Sequence, residues 1–164
     1  MAIYYGDGSN SNAGRIIQVV TGHKSSRSST TSTSFTSTGL EKNITPTASD
    51  SKILVLCNIR LGFASGNLGY AALWRGSYQI FQGDSYGSAV RCSFSADGTG
   101  GQHDAFVPTM TFLDEPATTS QITYAVRYRG HNGNTVRVNA VGSDRSNGTD
   151  GVFGSSIVLM EVAV

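Results

Sequence analysis

Apolar residues in this chain recur at every second position, and almost nowhere at helical spacing. In QITYAVRYRG (121–130) Ile122, Tyr124, Val126 and Tyr128 are apolar, while Thr123, Arg127 and Arg129 face the other way. NTVRVNA (134–140) repeats the pattern, with Val136, Val138 and Ala140 set against Thr135, Arg137 and Asn139. Between the two runs stands Asn132-Gly133, a dipeptide that favours the type I′ turn of a β-hairpin, so the chain is expected to fold back on itself there.

The same alternation predicts strands over 15–20, 52–64, 70–76, 78–83, 89–95, 105–114 and 155–164. Arg75-Gly76-Ser77-Tyr78 is expected to reverse the chain tightly between two of them. The last run, SSIVLMEVAV, is apolar on both faces apart from Glu161. Such a strand belongs at the centre of a sheet or beneath a partner chain. Short strands parted by Gly, Asn, Asp and Ser turns predict an all-β fold, an antiparallel β-sandwich or jelly roll.

Two segments do not fit plain alternation. SSRSSTTSTSFTSTG (25–39) is almost entirely hydroxyl-bearing, yet it lacks glycine before Gly39 and carries Phe35, with Leu40 and Ile44 after it as core anchors. Threonine favours strands, so an ordered edge strand or extended segment is expected rather than a linker. Its hydroxyls suit contact with a neighbouring subunit, which makes Thr31, Thr33, Phe35 and Thr36 the candidate interface. The first thirteen residues place Ile3, Tyr4 and Tyr5 ahead of a Gly-, Ser- and Asn-rich spacer. They form either a strand of the domain's own sheet or an arm docked elsewhere; the expected division is an arm over 1–13 and a sandwich over 14–164. Exposed hydroxyl ladders beside a two-sided apolar strand point to a homotrimer.

Composition narrows the classes. At 164 residues the chain makes one domain, and with 14% charged residues and a net charge of +1 it carries no basic field for nucleic acid or an anionic membrane. No run of eighteen apolar residues and no signal-type segment after Met1 is seen, so neither membrane insertion nor export by that route is expected. Cys57 and Cys92 are the only cysteines, both in strand-like runs, and buried free thiols are expected before a disulfide.

Candidate chemistry is sparse. GDSYG (83–87) matches the nucleophile-elbow pattern around Ser85, with Asp114 and His131 in hydrolase order. The elbow needs a helix behind its serine, whereas a turn and a strand follow here, so no catalytic residue and no enzyme is expected. His23, His103 and His131 lack ligand spacing. Asp144, Asn147 and Asp150 crowd the loop 142–151 without the calcium pattern of an EF-hand; turn chemistry is expected there, and neither a metal nor a cofactor. Trp74, beside Tyr70 and Ala72, is either core or a sugar-stacking platform.

Taken in order, GRIIQVV, STTSTSF, TGLEKNITPTASDSKILVLCNIRLG, WRGSYQIFQGD, FLDEPATTSQITYAVRYRG and SSIVLMEV resemble a recurrent β-sandwich domain of tailed-bacteriophage virion structural proteins, marine phages especially. The likeness runs over residues 14–164. It implies a virion component assembled in the host cytoplasm, a trimeric tail-fibre, spike or capsid-surface module, and assigns no functional residue. Two roles follow. One is a short appendage held to other virion proteins by residues 1–13 and offering its loops to host glycans. The other is a decoration or cement protein of the head.

Overall fold

Most alternating runs become strand, and the computed structural model describes residues 14–98, 104–143, 148 and 150–164 in full, with the backbone of 3–4 and 10–11. Among the described residues there is no helix. One layer orders β10 (Phe94–Asp97), β8 (Leu68–Arg75), β13 (Ile122–Gly130) and β5 (Thr36–Ile44), with β9 (Tyr78–Ile80) hairpinned onto β8. The facing layer orders β12 (Thr109–Asp114), β6 (Lys52–Asn58), β15 (Ser155–Val162) and β3 (Ile16–Lys24). All these pairs are antiparallel, so the expected β-sandwich is present. Residues 76 and 77 join β8 to β9, and only Gly76 takes a positive φ (55°), which suits a type II′ turn.

The second layer continues past a seam. β11 (Ala105–Phe106), β7 (Leu61–Phe63), β14 (Val136–Val138) and β4 (Ser28–Thr30) follow the same order, because three chain passes cross from one sheet to the other. The passes break at 25–27, at Ile59-Arg60 and at Val107-Pro108; only β14 takes the place of a different strand, β15. The runs 52–64 and 105–114 are therefore each two strands rather than one. Pro108 has no N–H to give a ladder, and its carbonyl accepts the Ile59 amide across the seam at 3.3 Å.

Asn139 stitches the seam together. It has a φ of +57° and is fully buried, so its expected place on the solvent side of an alternating strand is wrong. Its Nδ2 donates to the carbonyls of Lys24 (2.8 Å) and Ser26 (3.1 Å), and its Oδ1 accepts the Ser155 hydroxyl at 2.6 Å. Ser155 Oγ in turn accepts the Arg60 amide at 3.0 Å. One asparagine and one serine thus answer backbone groups at the ends of β3 and β7 that the break leaves without ladder partners.

The core lies between the layers. Leu40, Ile44, Leu73, Tyr124 and Val126 meet Ile53, Val55, Cys57, Ile157 and Leu159, all buried. Each such side chain contributes about 1.5–3 kcal/mol by leaving water. β15 sits between β6 and β3, which satisfies its two-sided apolar sequence by centrality.

Two sequence expectations are corrected. Residues 89–92 are not strand: the chain leaves the sheet after β9 and returns only when Ser93 accepts the Leu73 amide at 3.0 Å and donates to Phe81 at 2.6 Å. Asn132-Gly133 does form the expected turn, with φ of 49° and 82° and the Asn134 amide on the His131 carbonyl at 2.8 Å. The strands it joins nevertheless part, β13 into one layer and β14 into the other, where it pairs with β4 and β7.

Candidate functional site

The residues of the elbow pattern do not converge. Ser85 is exposed in an irregular loop with no helix after it. Asp114 is nearly buried and engaged elsewhere: both its oxygens accept Arg75 Nη1 (3.1 and 2.9 Å), and Oδ2 accepts the Tyr124 hydroxyl at 2.5 Å. Burial first, and then this carboxylate, push the Tyr124 hydroxyl well above the usual tyrosine range. His131 lies at the tip of the β13 turn, its Nδ1 3.4 Å from the Tyr70 hydroxyl. These contacts orient structure rather than a nucleophile.

Among the described residues no three His, Cys, Asp or Glu side chains come close enough to hold a metal ion. His103, Asp144 and Asn147 lie outside the described residues. Both cysteines are free. Burial pushes the Cys57 thiol up to about 12 and also raises the half-buried Cys92, whose shift is partly offset by a hydrogen bond from the Phe94 backbone.

Of the candidate arm, β1 (Ile3–Tyr4) pairs with β2 (Asn10–Ser11) as a separate two-stranded sheet; Tyr5 lies outside the described residues. The segment joins the sandwich where the Gly14 amide meets the Ala163 carbonyl at 2.7 Å. The hydroxyl-rich segment is ordered, as edge strand β4, a connection and the start of β5. Thr31 and Thr33 are exposed, and Thr36 Oγ1 donates to the Tyr128 carbonyl at 3.2 Å. Phe35 is no core anchor: it packs edge-on against Trp74 at 6.0 Å, apart from the buried cluster between the layers.

That contact opens onto the one concentration of recognition chemistry on the outer face of the β10-β8-β13-β5 layer. The register sets Arg129 opposite Tyr70, Arg127 opposite Ala72 and Ala125 opposite Trp74. The two alanines leave room for the long side chains to lie flat. The Arg127 guanidinium rests over the Trp74 ring at 4.2 Å, and Arg129 lies 5.5 Å from the Tyr70 centroid and 6.0 Å from that of Phe35. Cation–π contacts of this kind stabilise by about 0.5–2 kcal/mol. Among the described residues neither arginine is paired with a carboxylate. Trp74 Nε1 and Arg129 Nε are buried N–H donors with no acceptor. Trp74 is thus neither core nor a bare stacking platform, since a guanidinium already covers its ring.

At the end of this ladder is an open groove of about 410 Å³ lined by Arg75, Gly76, Tyr78, Pro116, Gln121 and Thr123. Arg127 Nη2 donates to the Gly76 carbonyl at 3.0 Å, so ladder and groove share a wall. Tyr78, 70% exposed, is the groove's free aromatic surface. Alternation placed both arginines opposite the apolar face of their strand and left Trp74 as core or platform, but the stack depends on the β8–β13 register, which no local pattern carries.

No family model matches the chain, and no curated protein sequence matches it. Among solved structures, one similar in fold is described as the structure of infectious bursal disease virus Gx strain; it is 12% identical with a TM-score of 0.45. The likeness covers 93% of this chain and 38% of that one, so the chain spans well under half of its neighbour's length.

Proposed function

We propose that this chain is a non-enzymatic structural module of a phage virion, a short tail-fibre or spike-type appendage that contributes to attachment at host-surface glycans. The observation that carries the attachment role is the aromatic–guanidinium ladder of Phe35, Trp74, Tyr70, Arg127 and Arg129 beside an open groove. Two guanidiniums without carboxylate partners, each seated against aromatic rings, offer N–H donors on one sheet face. That arrangement suits carboxylate or sulfate groups on an acidic polysaccharide, while Tyr78 and Thr123 suit sugar faces and hydroxyls. The resemblance of the motif order to a recurrent domain of tailed-phage structural proteins supports the virion setting.

Binding of the purified chain to host-surface polysaccharide, with Arg127→Ala/Arg129→Ala as comparison, tests this. The double variant should keep its circular dichroism, lose at least tenfold in affinity, and lose the salt dependence of the wild type. Equal binding by both proteins would remove the ladder from the attachment role. Gold-labelled protein on the head rather than the tail would favour the decoration role instead.

A further inference from the structure

The outer face of the other layer is the opposite of what a solvated sandwich face should be. The register of the β12-β6-β15-β3 sheet aligns Leu113, Leu54, Met160 and Val19 in one unbroken row, one residue from each strand. The next row sets Leu56 and Val158 between Thr111 and Thr21. On the other side Val162 lies opposite Ile16, at a bulge that also brings up Ile17. None is in the buried cluster between the layers; Val19 is 52%, Ile16 50% and Leu113 47% exposed.

Polar rows frame this patch at both ends. Beyond Leu56 and Val158 come Thr109, Asn58, Ser156 and His23, with Asn58 Nδ2 donating to Ser156 Oγ at 3.3 Å. At the other end Lys52 shares the row of Val162 and Ile16 and is neutralised by Glu115 at 2.7 Å. An apolar centre with a polar rim is the anatomy of a protein interface.

We propose that this sheet face is covered by the same face of a second copy of the chain. Four strands at about 4.8 Å spacing, and three residue rows, make a face of about 400 Å² that is apolar at most of its positions. That matches the largest apolar patch of a typical monomer, a kind that is often functional, and with its rim it approaches the roughly 800 Å² per partner of a stable interface. The shape selects the occupant. A face four strands wide is too broad for one extended peptide, whereas a second sheet of the same twist packs on it about 10 Å away. The charge agrees: Lys52, in the row of Val162 and Ile16, is paired with Glu115, and the chain's net charge of +1 gives two copies little to repel. The hydroxyl-rich segment, whose edge strand β4 lies past the seam, is not needed for this contact.

Light scattering on the full chain at micromolar concentration tests it. The wild type should run at twice 17.3 kDa, since a face that covers its own copy closes as a dimer. Leu54→Lys/Met160→Lys should run at 17.3 kDa with unchanged circular dichroism, and Arg127→Ala, on the opposite layer, should keep the wild-type mass. Val19→Lys, at an already half-exposed edge position, serves if the double variant fails to fold, and should weaken association at least tenfold. A monomeric wild type, or variants that assemble as well as it does, would overturn the inference without touching the attachment role.

Discussion

Asn139 and Glu161 are buried polar side chains that tie together backbone segments far apart in the chain. Asn139→Ala would leave the Lys24 and Ser26 carbonyls and the Ser155 hydroxyl without their partner, and would put alanine at a φ of +57°. We expect a loss of about 3–4 kcal/mol, seen as a fall in Tm of about 10 °C. Asn139→Asp should be no better, because it turns an oxygen towards the two carbonyls that Nδ2 now satisfies. Glu161 is fully buried, and its Oε1 accepts the Thr47 amide at 2.7 Å and the Thr47 hydroxyl at 2.8 Å, tying the 45–51 turn to β15. Oε2 closes no full hydrogen bond, and the Ser51 hydroxyl and Ala48 amide support the carboxylate from nearby. Burial pushes this carboxyl up, but the Thr47, Ser51 and Ala48 groups together outweigh it and hold it below the ordinary 4.5. A folded pKa below the unfolded one stabilises fully above about pH 4.5 and is lost as pH falls through the lower folded value. Glu161→Gln should therefore cost about 1–3 kcal/mol at neutral pH, and the gap between its Tm and that of the wild type should narrow below pH 4.5.

At the scale of elements, two glycines separate local from long-range constraint. Gly133 has open space around its α-carbon but a φ of +82°, so Gly133→Ala should cost only about 1 kcal/mol. Gly62, in β7, has an ordinary φ, yet a Cβ there would strike the backbone of Ala140 and Val141. Gly62→Ala should cost more than about 3 kcal/mol, and denaturant melts of the two variants would show the reversal. The same division explains what the sequence made legible. β13 and its inward Tyr124, Val126 and Tyr128 followed from alternation, and the Asn132-Gly133 turn from its own φ preferences, because each is decided within a few residues. The partner of β14 was not legible, since a turn sets the direction of the chain but not which sheet it enters. Asn139 looked like one more outward polar residue because its partners, at positions 24, 26 and 155, are far along the chain. The arginine ladder and the apolar rows depend on register between strands, so their residues were visible singly and their grouping was not.

Over the whole molecule, β1 and β2 pair only with each other, while every long strand of the sandwich lies within residues 16–162. Deletion of residues 1–13 should thus leave the melting curve of the sandwich nearly unchanged; we expect the truncated protein to fold, bind glycan and fail to join the virion. Unfolding on truncation would show that the segment belongs to the domain, and normal incorporation would move attachment onto the sandwich. The central place of β15 has a consequence for biogenesis. β3 and β6 are never paired with each other, and both receive the same later strand, residues 155–162, as their common neighbour. On the ribosome this layer stays open until that segment has emerged, with Ile53, Val55 and Cys57 still short of their native cover. Nascent chains cut short of residue 155 would then be insoluble or rapidly degraded, so only polypeptides that include β15 persist as folded protein.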